Sequence, residues 1–162
     1  MAGRAVILMG SKSDAGHVEA IVAQLDALGV PSVRRVASAH KSVGHLLGIL
    51  AGYNASAEPV VFIAVAGRSN ALAGMVDANT PFPVITCPPT SSAFGGADIY
   101  SSLRMPGGVA PLVILEPSGA ALAAAKILAL SDAALAARIA AYQAEMTAAI
   151  IAADAELGAD GS

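Results

Sequence analysis

Two observations predict a doubly wound α/β domain. Five short, nearly continuous apolar runs recur along the chain: AVILM at 5–9, SVRRVA at 32–37, VVFIAVA at 60–66, PVIT at 83–86 and PLVIL at 111–115. The stretches between them carry helical rather than alternating periodicity. Runs apolar on both sides suit a parallel sheet covered on both faces, because only there does every side chain leave water. Right-handed crossovers then leave few topologies. The expectation is a flavodoxin-like three-layer α/β/α sandwich: a five-stranded parallel sheet in the order 2-1-3-4-5, followed by extra C-terminal helices.

The elements follow in order. Between the first two runs, Val18, Ile21, Val22, Leu25 and Leu28 share one helical face, and Gly29 stands where a left-handed cap ends a helix. A further helix, carrying His45, follows the second run, and another starts after AGRSN. Past the fifth run, SGAALAAAKILAL and SDAALAARIAAYQAEMTAAIIAADAEL read as two helices, with Ser131 the expected N-cap of the second. In that second helix Leu135, Ile139, Tyr142, Met146 and Ile150 form one stripe, while Arg138, Glu145, Asp154 and Glu156 lie mostly elsewhere. Core packing accounts for most such stripes. Here, however, the five strands and their helices are complete before the stripe begins, so the helix is expected to dock on a neighbouring subunit. Residues 1–157 read as one domain including this oligomerisation helix, and 158–162 as a disordered tail.

Composition narrows the function classes. A chain of 162 residues fits one domain whose core needs neither disulfide nor metal. With 56% hydrophobic residues, only 13% charged and a mean hydropathy of +0.66, the chain is apolar, yet no uncharged run approaches the roughly 20 residues of a membrane span. The excess is mostly alanine, and self-association is the expected way to cover it. A net charge of −3 without Lys/Arg clusters gives no footprint for nucleic acid. The single Cys87 and the lack of signal-peptide features point to the cytoplasm, and Cys87 reads as a small buried apolar residue. Cysteines, histidines and carboxylates never cluster at ligand spacing, so no metal site is expected.

Chemistry is sought in the loops beyond the carboxyl ends of the strands, where open parallel sheets bind ligands. After the first run, MGSKSD offers Gly10 for close backbone approach, with Ser11 and Ser13 at a helix start that attracts phosphate. Taken alone, the loop reads more readily as ordinary capping by those serines, with Asp14 complementing the dipole. After the second run, SAHKS brings Ser38, His40 and Lys41 to the same rim, and histidine is the side chain suited to accept and donate a proton near neutrality. His17 and His45 fall in helical patterns and read as surface or packing residues. After the third run, Gly67, Arg68, Ser69 and Asn70 suit a carboxylate or a polarised carbonyl. After the fourth, Pro88 and Pro89 form a rigid turn.

MGSKSD, SAHK, AGRSN, PVITCPP and SSLRMPGG, in this order over residues 5 to about 130, closely resemble the aminoimidazole ribonucleotide carboxylase and mutase family of purine biosynthesis. The resemblance implies a flavodoxin-like subunit assembled into homo-octamers or homotetramers, with sites at subunit junctions and no cofactor. It also implies that Ser11, Ser13 and Asp14 hold the ribose phosphate, with Asp14 on the ribose hydroxyls, that Ser38 and Lys41 bind near the phosphate, and that His40 is the proton shuttle. One branch, common in bacteria, moves a carboxyl group from nitrogen to the ring carbon and has a third loop resembling AGGAAHLPG. The other, typified by animal enzymes, uses carbon dioxide directly and carries AGRSN with CPP and SSLR. Ala71 stands where the mutase pattern has a second histidine, so the resemblance is to the direct carboxylase branch (class II, a carboxy-lyase), although LAGM at 72–75 is nearer the mutase pattern. The substrates implied are aminoimidazole ribonucleotide and carbon dioxide, the latter enclosed by AGRSN and by Pro88 and Pro89.

Rival readings are a mutase, a carboxylase of another azole or pyridine nucleotide, an FMN electron carrier and a receiver-like signalling module. The carrier is disfavoured by the absence of tryptophan and by 4% aromatics. The receiver needs an acidic pair after the first strand and an aspartate after the third, where only Asp14 and the Ala66–Gly67 pair stand.

Overall fold

A computed structural model describes residues 3–159. The sheet contains β1 (Arg4–Met9), β2 (Ser32–Val36), β3 (Val60–Val65), β4 (Val84–Thr86) and β5 (Leu112–Val113). All pairings are parallel in the order β2-β1-β3-β4-β5, with Ala5 opposite Ser32 on one side and Val61 on the other. The helices are α1 (Ala15–Ala27), α2 (Val43–Asn54), α3 (Ala71–Asp77), α4 (Tyr100–Leu103), α5 (Pro117–Ala129) and α6 (Ala133–Ala159), with short 3-10 segments at Lys12–Asp14 and Ala93–Ile99. This is the flavodoxin-like sandwich the apolar runs predict.

Strand position explains strand composition. The central β1 and β3 are buried from Ala5 to Met9 and throughout, and their side chains alternate between two cores. Ala5, Ile7, Met9, Val61, Ile63 and Val65 meet α1, α5 and the start of α6; Val6, Leu8, Phe62 and Ala64 meet α2 and α3. The edge strand β2 tolerates Arg34 and Arg35 because one side opens to solvent, where Arg34 pairs with Glu19 at 2.8 Å. The fifth strand is shorter than the 111–115 run. Ile114 N–H still donates to the Thr86 carbonyl, but the ladder stops there because β4 runs into Pro88 and Pro89, which have no N–H to continue it. Much of the alanine excess is absorbed by α5, whose Ala120, Ala121, Ala124 and Ala125 are fully buried and let that helix lie close against its neighbours. Gly29, at φ +67°, ends α1 in the predicted left-handed conformation.

The C-terminal helices differ from expectation in two respects. Asp132, not Ser131, caps α6: its Oδ1 accepts from Leu135 N–H at 2.9 Å, while the Ser131 hydroxyl donates back to Leu128 and closes α5. The carboxylate has the added advantage of its charge at the positive end of the helix dipole. The stripe also divides. Leu135 and Ile139 are buried in the α1–α5 core, Tyr142 packs on its edge, and Arg138 Nε donates to the Leu28 carbonyl at 2.9 Å. From Met146 onward the helix overhangs the body, leaving Met146, Ile150, Ile151 and Leu157 exposed. The helix carries through Gly158 to Ala159, and the rest of the expected tail, 160–162, lies outside the described residues. Among the described residues no helix is long and apolar enough to cross a membrane.

Candidate active site

The sheet reverses direction of travel between β1 and β3, and the loops leaving β1, β2 and β3 converge there. Gly10 lets them meet: its N–H donates to the Val65 carbonyl at 2.9 Å, and a Cβ on it would sit 3.3 Å from the Ala66 methyl. Ser11 then caps the 3-10 turn, accepting from Ser13 N–H and from the Ser13 hydroxyl, while Asp14 Oδ2 accepts from Ser11 N–H at 3.0 Å. The capping explanation of this loop is therefore realised. It still leaves Ser11, Ser13 and Asp14 lining the cleft.

The β2 loop is organised by Ser38. Its Oγ accepts from His40 N–H and Lys41 N–H, both at 3.2 Å, and its own N–H donates to Ser42 Oγ at 2.9 Å. With both lone pairs occupied, the Ser38 hydroxyl keeps its proton to donate. The tight turn holds His40 and Lys41 out into solvent. Across from them stand Gly67, Arg68 and Ser69, and the whole encloses an open cleft of about 460 Å³ floored by Ala39, Ala66 and Leu72. Lys41 and Arg68 face it, and among the described residues Asp14 is the one carboxylate lining it, an arrangement that favours anionic groups.

Ten of the sequence-predicted residues thus share one cleft: Gly10, Ser11, Ser13, Asp14, Ser38, His40, Lys41, Gly67, Arg68 and Ser69. Pro88 and Pro89 line an adjoining, more enclosed cavity of about 190 Å³, together with Gly96, Ile99, Ser102 and Leu115, and Gly67 borders both spaces. Asn70 faces neither. Its side chain, 3% exposed, turns inward, with Nδ2 donating to Thr86 Oγ1 and to Ser102 Oγ and Oδ1 capping α3 at Ala73 N–H. Thr86, Ser101 and Ser102 escaped the sequence reading as site-related groups; the available signals were a threonine inside an apolar strand and the SSLR word.

Of the other titratable groups, Asp98 lines the adjoining cavity, while His17, Cys87 and His45 lie away from the cleft. His17 Nε2 is 3.4 Å from Cys87 Sγ beneath the rim, and Cys87 is fully buried as expected. Burial first, and the Glu116 charge second, push its thiol up to about 12. His45 borders an open groove of about 600 Å³ with Tyr53 and the Arg4–Glu58 ion pair, away from the convergence of loops. Among the described residues no three His, Cys, Asp or Glu side chains gather as a metal site.

Fold and site together define a doubly wound α/β protein with a cation-rimmed cleft at its topological switch point, where such sheets take their ligands. The profile described as AIR carboxylase matches residues 4–149. The chain belongs to the AIR carboxylase family. The phosphoribosylaminoimidazole carboxylase of Archaeoglobus fulgidus is 51% identical over 154 residues, 95% of this chain and 84% of that protein. The enzyme of the same name from Treponema denticola is 46% identical over 152 residues, 94% of this chain and 96% of that one. A crystal structure of Treponema denticola PurE matches with a TM-score of 0.94 at 45% identity, covering 96% of this chain and 98% of that one.

Proposed function

We propose that the chain is a phosphoribosylaminoimidazole carboxylase that joins carbon dioxide to carbon 4 of aminoimidazole ribonucleotide, reversibly and without ATP. The observation that carries this reading is the opposition, across one cleft, of the serine loop and His40–Lys41 to Arg68 and Ser69. In this reading Ser11, Ser13, Ser38 and Lys41 take the nucleotide phosphate, and the free oxygen of Asp14 takes the ribose. Gly67, Arg68 and Ser69 receive the carboxyl group, next to the cavity lined by Pro88 and Pro89.

The amino group makes carbon 4 of the imidazole nucleophilic, so its π electrons form the new bond to carbon dioxide while one C=O π pair moves to oxygen. Carbon 4 then bears both hydrogen and carboxylate. His40 removes that proton, the C–H electron pair restores the aromatic ring, and the proton passes to solvent. No redox change or metal is required by this balance, and the enzyme's contribution is orientation, which can supply about 7–11 kcal/mol, plus the proton transfer. Self-association as an octamer or tetramer, and a cytoplasmic location, belong to the same reading; the overhanging apolar end of α6 supports the first.

The test is direct. Purified protein with aminoimidazole ribonucleotide and dissolved carbon dioxide should form the carbon-carboxylated nucleotide with no ATP, metal or cofactor. Carbon dioxide should outpace freshly added bicarbonate, since a neutral gas need not be stripped of an anion's hydration. Rapid conversion of the nitrogen-carboxylated isomer under carbon-dioxide-free conditions would instead identify a mutase.

A further inference from the structure

We propose that the Asn70–Thr86–Ser102 hydrogen-bond cluster is a positioning device that fixes Arg68 and Ser69 at the cleft, and that Asn70 acts through these partners rather than by touching substrate. The inference rests on the carboxylase reading. Its first support is orientation. The amide is not free to flip, because Ala73 N–H can only donate and so claims Oδ1. Nδ2 must then supply both its protons to the two hydroxyls, Thr86 Oγ1 and Ser102 Oγ at 2.8 Å. Thr86 in turn reaches the Ala64 carbonyl of β3 at 3.5 Å.

The second support is what the cluster joins. Asn70 N–H also donates to Ser101 Oγ at 3.2 Å, so one residue is tied to the ends of β3 and β4 and to α4. Ser69, one peptide away, lines the cleft, and Cα atoms across a peptide are held about 3.8 Å apart. Ser69 is therefore attached directly to a residue that buried bonds hold in place. Ser102 also lines the adjoining cavity, so the cluster reaches the wall of that space as well. Only an asparagine combines two donors, one acceptor and this short reach; aspartate would bury a charge among groups satisfied by a neutral amide.

A structural role alone predicts lost stability. Positioning predicts a divided kinetic effect, because the phosphate-binding loops stand on β1 and β2, which the cluster does not touch. Thr86→Val keeps the shape and removes the acceptor, whereas Thr86→Ser keeps the hydroxyl. In steady-state carboxylation the valine variant should lose about tenfold or more in kcat, since small misplacements of reacting groups are costly. Its nucleotide KM should stay within about twofold, and the serine variant should recover most of the loss. Equal losses in both variants, or wild-type kcat in a folded Thr86→Val protein, would overturn the proposal. So would an Asn70→Ala protein with raised nucleotide KM and unchanged kcat. If Thr86→Val does not fold, Ser101→Ala decides from the exposed side: a severalfold fall in kcat with unchanged KM supports positioning, and unchanged kinetics refute it. Failure of the underlying reading looks different, because then the wild-type protein itself carboxylates nothing.

Discussion

Removing the overhanging end of α6 should dissolve the proposed assembly while leaving the subunit folded. The cut belongs after Gln143, because the helix has two unlike halves. The first half is core: Leu135 and Ile139 are only 3% and 5% exposed, and Arg138 holds the Leu28 carbonyl. Cutting after Ser131 forfeits about 1.5–3 kcal/mol for each of those two side chains and about 1 kcal/mol for the hydrogen bond. That total, about 4–7 kcal/mol, rivals the entire stability of about 5–15 kcal/mol expected of a domain, so the shorter chain should unfold. In the second half, Met146, Ile150, Ile151 and Leu157 keep 55%, 73%, 64% and 77% of their surface open. Covering that surface recovers roughly two thirds of the same per-residue value, about 4–8 kcal/mol per helix. Its loss weakens association by about three to six orders of magnitude. Multi-angle light scattering across a concentration series reads the mass, and circular dichroism with thermal melts reads the fold. The reasoning is refuted if the chain cut after Gln143 retains the full-length oligomer, or if the full-length protein is monomeric throughout.

Two further outcomes follow from the site. His40→Asn should preserve the circular dichroism spectrum and nucleotide binding while abolishing turnover, because an amide is polar but shuttles no proton; near-normal turnover would remove His40 from the mechanism. Cys87 carries a pH signature: its thiol titrates near about 12 in the folded chain against an ordinary 9.0. The unfolded chain therefore releases that proton first, so the group's stabilising effect is complete below about pH 9 and is lost as pH rises towards 12. Between about pH 8 and about pH 10.5, urea midpoints of the wild type should fall more steeply than those of Cys87→Ala, and parallel curves would contradict the assignment.

The sheet was legible because residues buried on both sides leave an unbroken apolar run, and the central VVFIAV could occupy no edge. The paired arginines of β2 mark the opposite case, an edge strand. Boundaries were less legible. Ser131 and Asp132 are both good caps one residue apart, and only the register of the α5–α6 turn chooses between them. The cleft was legible because the loops beyond β1, β2 and β3 must converge at the switch point, whatever their conformations. The inward turn of Asn70 was not legible, for a physical reason. A polar side chain in a loop can serve a ligand or a hidden partner, and its partners lie 16 and 32 residues away in sequence. That choice is a tertiary fact with no local signal.

In the isolated subunit the residues proposed for the chemistry stand in water. His40, Lys41, Arg68 and Ser69 are all exposed, yet capture of carbon dioxide by a ring carbon benefits from a site that excludes solvent and fixes the reacting groups. The same subunit exposes apolar surface it cannot cover. Beyond the end of α6, Phe94 is 89% exposed on a left-handed stretch with Gly95 and Gly96, and Tyr100 and Leu103 follow on α4. A phenylalanine in that conformation carries backbone strain of order 1–3 kcal/mol, which an unassisted surface loop has no contact to offset. The exposed segment begins a few residues beyond Pro89, which lines the cavity adjoining the cleft. Under the proposed self-association, one neighbour can cover the apolar segment, offset its strain and help close the cavity, so assembly and catalytic competence become two consequences of the same contact.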